Sequence, residues 1–214
     1  MKENFILENG MTVPAIGFGT YNAKGGDNLQ MIKDAIEVGY RYFDTASLYG
    51  TERALGQAIK ESGLPREAFQ IATKVWIDEM GYESTKAALE RSLSRLQTDY
   101  VDFYLIHWPK ASEEDADWKV RDLETWRAME EAVEEGKIKA IGLSNFLPHH
   151  LDNILAHCRI KPVVNQLELH AGYSQEAAVA YSQAKGILLQ AWSPFARGVL
   201  ENHPLVRRMA EKYG

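Results

Sequence analysis

The stretch RYFDTASLYGTE, residues 41–52, decides how the rest of this 214-residue chain is read. It begins as an apolar strand and ends in small and polar residues. Near its end stand an acid, Asp44, and a phenol, Tyr49. An ionised carboxylate buried alone is very costly. A buried strand that ends in Asp44 therefore calls for a cationic partner on a neighbouring element.

Working outward, the same plan repeats. FILENGMTVP (5–14) carries an Asn-Gly pair between apolar runs, a hairpin signal that predicts positive φ at both Asn9 and Gly10. AIGFGTY (15–21) reads as a short buried strand, followed by a polar loop, NAKGGDN (22–28). Apolar positions at helical spacing predict a helix over 28–38, ended by Gly39. After strand YRYFDTA (40–46) comes a helix over 51–61, capped by Thr51. Strands follow at 69–76, 101–107, 137–145, 162–168 and 187–194, with helices at 83–96, 121–135, 148–156 and 174–185 between them. ASEEDADW (111–118) reads as an acidic loop, and residues 204–213 start a further helix.

The strands are nearly continuous apolar runs, as in a parallel sheet covered by helices on both faces. Seven strand-then-helix units without a linker predict one domain over 1–214, a (β/α)8 barrel with an N-terminal β-hairpin. The alternative is an open doubly wound sheet. A nucleotide-binding sheet of that kind would carry GxGxxG after its first strand, whereas GFGTYN (17–22) lacks the third glycine.

Bulk properties narrow the function. Hydrophobic residues make up 45% and charged residues 25%, ordinary globular proportions. No apolar run reaches the roughly 18 residues of a membrane span, and the opening MKENFILENG has no signal-peptide core. One cysteine, Cys158, excludes an internal disulfide and a Cys-based metal site. A reducing, cytoplasmic setting is expected. A net charge of −6 argues against nucleic acid as partner. Seven of the 24 Lys/Arg but only five of the 30 Asp/Glu lie from Asn145 onward, so an anionic ligand would favour that part.

Catalytic residues of a barrel come from the C-terminal ends of several strands. Those ends carry Asp44 then Tyr49, Lys74, His107, Ser144 with Asn145, Asn165 with Gln166, and Trp192 with Ser193. Each has a plain reading taken singly: Lys74 a solvated lysine, His107 a core histidine, Asp44 a turn former, Asn145 a helix cap, Trp108 and Trp192 rim packing. Their coincidence at one end of six strands is what packing alone does not explain. Asp44 and Lys74, on adjacent strands, can form a buried pair that orphans neither charge. The ammonium would lower the pKa of Tyr49, making it a proton donor near neutral pH. His107 can orient a carbonyl or share that proton. None of these side chains donates hydride, so a reduction needs a cofactor. The amide-recognising set Ser144, Asn145 and Gln166, facing Trp192, suits a nicotinamide ring.

With AIGFGTY, DTASLYGTE, ATKVW, LIHWP, GLSNF, VNQLELH and AWSPFARG in this order, the whole chain resembles an aldo-keto reductase. That resemblance implies a (β/α)8 barrel whose bottom is closed by the hairpin, and NADPH-dependent reduction of aldehydes or ketones by a monomer. It makes Tyr49 the general acid, with Asp44, Lys74 and His107 as partners. Ser144, Asn145 and Gln166 would hold the carboxamide, and Trp192 would stack on the ring. Gly19, Thr20 and Asp44 would also face the cofactor, while Ser193, Phe195 and Gly198 would follow the pyrophosphate. Tyr21, Trp76, His107 and Trp108 would line the pocket for a small-molecule carbonyl.

Two departures from the family pattern stand out. Thr51 replaces a common Asn, which is expected to alter only a helix cap. No eighth strand or IPKS-like segment follows strand seven. Such barrels take roughly 250 residues, so the expectation is a C-terminally incomplete barrel whose open edge invites association. Two other functions compete: a Schiff-base lyase using Lys74 as nucleophile, and a non-catalytic barrel fragment serving as an interaction module.

Overall fold

The computed structural model describes residues 4–21 and 27–214. Most of the loop expected over 22–28 lies outside the described residues. An antiparallel hairpin, β1 (Asn4–Ile6) and β2 (Thr12–Pro14), precedes everything else. Its turn departs from expectation. Only Gly10 has positive φ, +84°. The Leu7 carbonyl accepts from Gly10 N–H at 2.9 Å, and Leu7 N–H donates to the Met11 carbonyl at 2.8 Å. This is a three-residue loop with glycine in the left-handed position. Asn9 avoids that region and instead accepts from Met11 N–H through Oδ1 at 3.1 Å.

The rest alternates strand and helix: β3 (Phe18–Gly19), α1 (Asn28–Glu37), β4 (Tyr42–Asp44), α2 (Glu52–Glu61), β5 (Gln70–Val75), α3 (Tyr82–Leu96), β6 (Val101–Ile106) and α4 (Trp118–Glu134). Then follow β7 (Ile138–Ser144), α5 (Pro148–Leu155), β8 (Val164–Glu168), α6 (Glu176–Ala184), β9 (Leu188–Trp192) and α7 (Pro204–Tyr213). Strands β3 to β9 form one parallel sheet in sequence order. The sheet curls, because Tyr42 on β4 reaches across to hydrogen-bond Gln190 on β9. These are seven βα units of the (β/α)8 barrel.

Strand side chains alternate between faces with period two. Tyr42, Ala72, Phe103, Leu105, Ala140 and Val164 pack together in the barrel interior. Leu7 and Val13 of the hairpin join that cluster and close its bottom. The other phase, including Phe43, Ile71, Val75, Tyr104, Ile106, Ile141 and Leu143, packs against the helices. At the bottom, the buried Asp102 accepts from Arg66 (2.8 Å), Lys139 (2.9 Å) and Ile71 N–H (3.0 Å). That network clamps the strand starts, away from the end where barrel chemistry occurs.

Glycine sets two close approaches. A Cβ at Gly56 would lie 2.4 Å from the Leu96 carbonyl, so α2 can rest on the end of α3 only with glycine there. A Cβ at Gly17 would lie 2.5 Å from the Tyr42 ring.

Two expected boundaries shift. Helix α4 starts at Trp118, inside the expected acidic loop, where the Trp118 ring packs edge-on against His149 and His150. Thr51 precedes α2 but makes no capping bond. Its hydroxyl instead joins Thr20 (2.7 Å) and Thr45 (3.0 Å) in a buried chain that ties the ends of β3 and β4 to the start of α2. The change of Thr for Asn is therefore more than a cap substitution. Among the described residues, no helix is long and apolar enough to cross a membrane.

Candidate active site

The interior phase places the expected residues. Asp44 follows Tyr42 by two on β4, Lys74 follows Ala72 on β5, and His107 follows Leu105 beyond β6. Gln166 follows Val164 on β8, and Trp192 follows Gln190 on β9. All therefore point inward above the apolar layer. Asn165, one residue out of phase, points the other way and donates to the Phe146 carbonyl at 2.8 Å and to Ser182 Oγ at 3.3 Å.

The partner that Asp44 required is present. Lys74 Nζ donates to Asp44 Oδ1 at 2.5 Å and to the Thr45 carbonyl at 2.9 Å. Lys74 is wholly buried, which excludes a solvated lysine. Burial alone would depress its ammonium, but Asp44 and Tyr49 outweigh burial and raise its pKa. A turn over Ser47–Tyr49 carries the phenol back over the strand end. Ser47 Oγ donates to Glu79 Oε2 at 2.6 Å, which anchors that turn to the segment after β5.

Tyr49 Oη lies 3.4 Å from His107 Nε2, and Lys74 Nζ lies 5.2 Å from the Tyr49 ring centre. The direction of its pKa corrects the expectation. Burial pushes the phenol up, and the opposing field of Lys74 does not cancel it. Tyr49 is thus held protonated. His107 is lowered to about 3, first by burial and then by Lys74, so its imidazole is neutral.

The ends of β7, β8 and β9 form a second cluster. Asn145 sits at φ +64°, a left-handed position asparagine tolerates, and it does not cap α5, whose cap position is Leu147. Its Nδ2 donates to the His107 carbonyl (2.9 Å) and to Ser144 Oγ (3.1 Å), and its Oδ1 accepts from Trp192 Nε1 (3.0 Å). Ser144 Oγ donates to the Gln166 carbonyl at 3.1 Å. Gln166 Nε2 donates to Asp44 Oδ2 at 2.8 Å, so the two clusters share Asp44.

Around the mouth, Tyr21 packs on Tyr49 and Trp76 on His107, each with ring centres 4.9 Å apart. Trp108 is 40% exposed beside His107. Gly19 pairs with Asp44 across β3 and β4, and no atom lies within 4 Å of where its Cβ would stand. Thr20 is fully buried, with its hydroxyl spent on Thr51 and the Asp44 carbonyl and its backbone N–H donated to that same carbonyl at 2.9 Å. After β9, Ser193 and Gly198 have positive φ, and Phe195 is 75% exposed. Sequence reading missed Gln190, Tyr42 and Glu79. Gln190 had a signal, being a polar residue inside an apolar strand and in phase with Trp192.

What this arrangement can do is clear from its parts. A protonated phenol, a neutral imidazole and a buried ammonium converge on an aromatic mouth. Beside them, amide side chains and an indole form a polar shelf.

The aldo/keto reductase family profile matches residues 15–209. The chain is 44% identical over 214 residues to a glyoxal reductase of Bacillus subtilis, covering all of this chain and 75% of that protein. It thus spans about three quarters of that relative's length. Among solved structures, an aldo-keto reductase from a deep-sea metagenome library superposes with a TM-score of 0.90 at 39% identity, over 97% of this chain and 75% of the other. A Bombyx mori aldo-keto reductase solved in complex with NADP superposes with a TM-score of 0.88 at 35% identity, over 98% and 75%.

Proposed function

This chain belongs to the aldo/keto reductase family, and we propose that Tyr49, Asp44, Lys74 and His107 are its catalytic residues in one barrel domain of residues 1–214. It is an NADPH-dependent oxidoreductase acting on carbonyl groups. The reduced nicotinamide supplies the hydride. The residues at the strand ends suit that ring. Gln166 Oε1 receives no hydrogen bond from the described residues, and Asn145 Oδ1 receives one. These two amide oxygens can accept from the N–H groups of a ring carboxamide. Ser144 would support them, Trp192 would cover the ring, and Gly19, next to Thr20, leaves room for close approach near Asp44. Ser193, Phe195 and Gly198, on the segment after β9, would hold the pyrophosphate.

The observation that carries the reading is the buried Lys74–Asp44 pair beneath the Tyr49 phenol. Tyr49 gives its proton to the substrate oxygen. An alkoxide is a stronger base than a phenolate, so even a raised phenol protonates it. Lys74 then stabilises the phenolate left behind, and Asp44 keeps Lys74 charged. The neutral His107 donates to the substrate oxygen and orients the carbonyl. Tyr21, Trp76, His107 and Trp108 form an aromatic pocket, which favours small or aromatic aldehydes and ketones.

The test is oxidation of NADPH with a panel including a small dialdehyde and an aromatic aldehyde. The cofactor's near-ultraviolet absorbance falls on addition of an accepted substrate. No fall with any aldehyde or ketone would overturn the reading. A Schiff-base role for Lys74 predicts a borohydride-trapped adduct at that residue. The raised, ion-paired ammonium disfavours it, because a nucleophilic lysine must be neutral.

A further inference from the structure

Below the shelf runs a polar chain that the reaction does not use directly. Tyr42 Oη donates to Gln190 Oε1 at 3.2 Å and accepts from Gln190 Nε2 at 3.0 Å. Gln166 Nε2 donates to the same Gln190 Oε1 at 3.3 Å and to Asp44 Oδ2 at 2.8 Å. Asp44 in turn takes the Lys74 ammonium. Gln166 and Gln190 are register partners on β8 and β9, while Tyr42 comes from β4 on the far side of the barrel. The Tyr42 ring is itself wedged on Gly17 and edge-on to Phe103, with ring centres 5.7 Å apart.

The chain has a direction. An ionised carboxylate only accepts, so Asp44 demands the nitrogen end of Gln166. That nitrogen carries a second hydrogen, and Gln190 Oε1 takes it. Both donors of Gln166 are then committed, and its oxygen is what remains for a ligand.

We propose that Gln190, backed by Tyr42, is a positioning residue that sets the amide plane of Gln166 with its oxygen toward the cofactor, so that the shelf favours a ring substituent bearing N–H. The inference rests on the cofactor assignment above and adds a device for discriminating among ring substituents. Without Gln190 Oε1, Gln166 keeps its nitrogen on Asp44 but gains a buried unpaired N–H, and the plane of its amide, which aims the oxygen, is free to turn.

The experiment measures dissociation constants, by quenching of tryptophan fluorescence, for NADPH and for its reduced acetylpyridine analogue, whose acetyl group has no N–H. Wild type should prefer NADPH by about tenfold, the scale of one hydrogen bond. Gln190→Leu should cut that preference to about twofold by weakening NADPH alone, with analogue binding unchanged. Gln190→Glu, which keeps an acceptor, should retain the preference. Tyr42→Phe, which leaves the ring on Gly17, should lower it and serves if Gln190→Leu fails to fold. A merely structural role would weaken both ligands together and leave the ratio unchanged, and that result overturns the proposal. So does equal binding of the two ligands by wild type. Failure of wild type to bind either ligand would instead remove the cofactor assignment, and the proposal with it.

Discussion

Asp122 has no part in the reaction, yet it is the most exposed to test of the single residues. It is fully buried in the first turns of α4, and neither carboxylate oxygen has a partner among the described residues. Burial pushes it up from 3.8 to about 9, against the lowering field of Arg121 and with help from Asp115. The unfolded chain releases this proton near 3.8 and the folded chain near 9. Stability from this group is therefore complete below the lower value and drains away as pH rises toward the upper one. Asp122→Asn should remove that slope and stabilise the protein at neutral pH by roughly 1–3 kcal/mol. Parallel denaturation curves for the two proteins across this pH range would contradict it. At this scale the pairing of Asp44 with Lys74 was legible, because a buried strand end with an acid needs a cation. The raised pKa of Tyr49 was not, because it depends on how far the folded barrel desolvates the phenol.

Elements were legible where local chemistry decides them. Continuous apolar runs marked the buried strands, and glycines marked the helix ends. The hairpin was read correctly but not its turn, since Asn-Gly also fits a three-residue loop with only Gly10 left-handed. Thr51 was read as a cap, but two buried hydroxyls compete for it and win. Nothing local reveals that Gly56 faces the backbone at Leu96. That contact carries an element-scale prediction: Gly56→Ala gains helix propensity but forces α2 off α3, a net loss of about 1–3 kcal/mol. A denaturant midpoint at or above that of wild type would show that the two helices can separate without cost.

At the scale of the molecule, repeated βα units made the barrel plan readable, and the strand-end rule collected most of the site. The cross-barrel bond from Tyr42 to Gln190 was not readable, because which side chains meet across the interior depends on the curl of the sheet. The same curl assembles the functional groups. The Tyr49 phenol comes from beyond β4, the Lys74 ammonium from β5 and the His107 imidazole from beyond β6, while β7 to β9 supply the shelf. A ligand that bridges these strands should stabilise the whole fold, so NADPH at a hundred times its Kd should add about 2.7 kcal/mol to unfolding. An unmoved melting temperature would speak against binding across the strands. The central claim is that Tyr49 supplies the proton in a carbonyl reduction, and comparing Tyr49→Phe with wild type tests it most directly. The account predicts turnover lower by about 10²–10⁴-fold with NADPH affinity essentially kept, and turnover at the wild-type rate would contradict it.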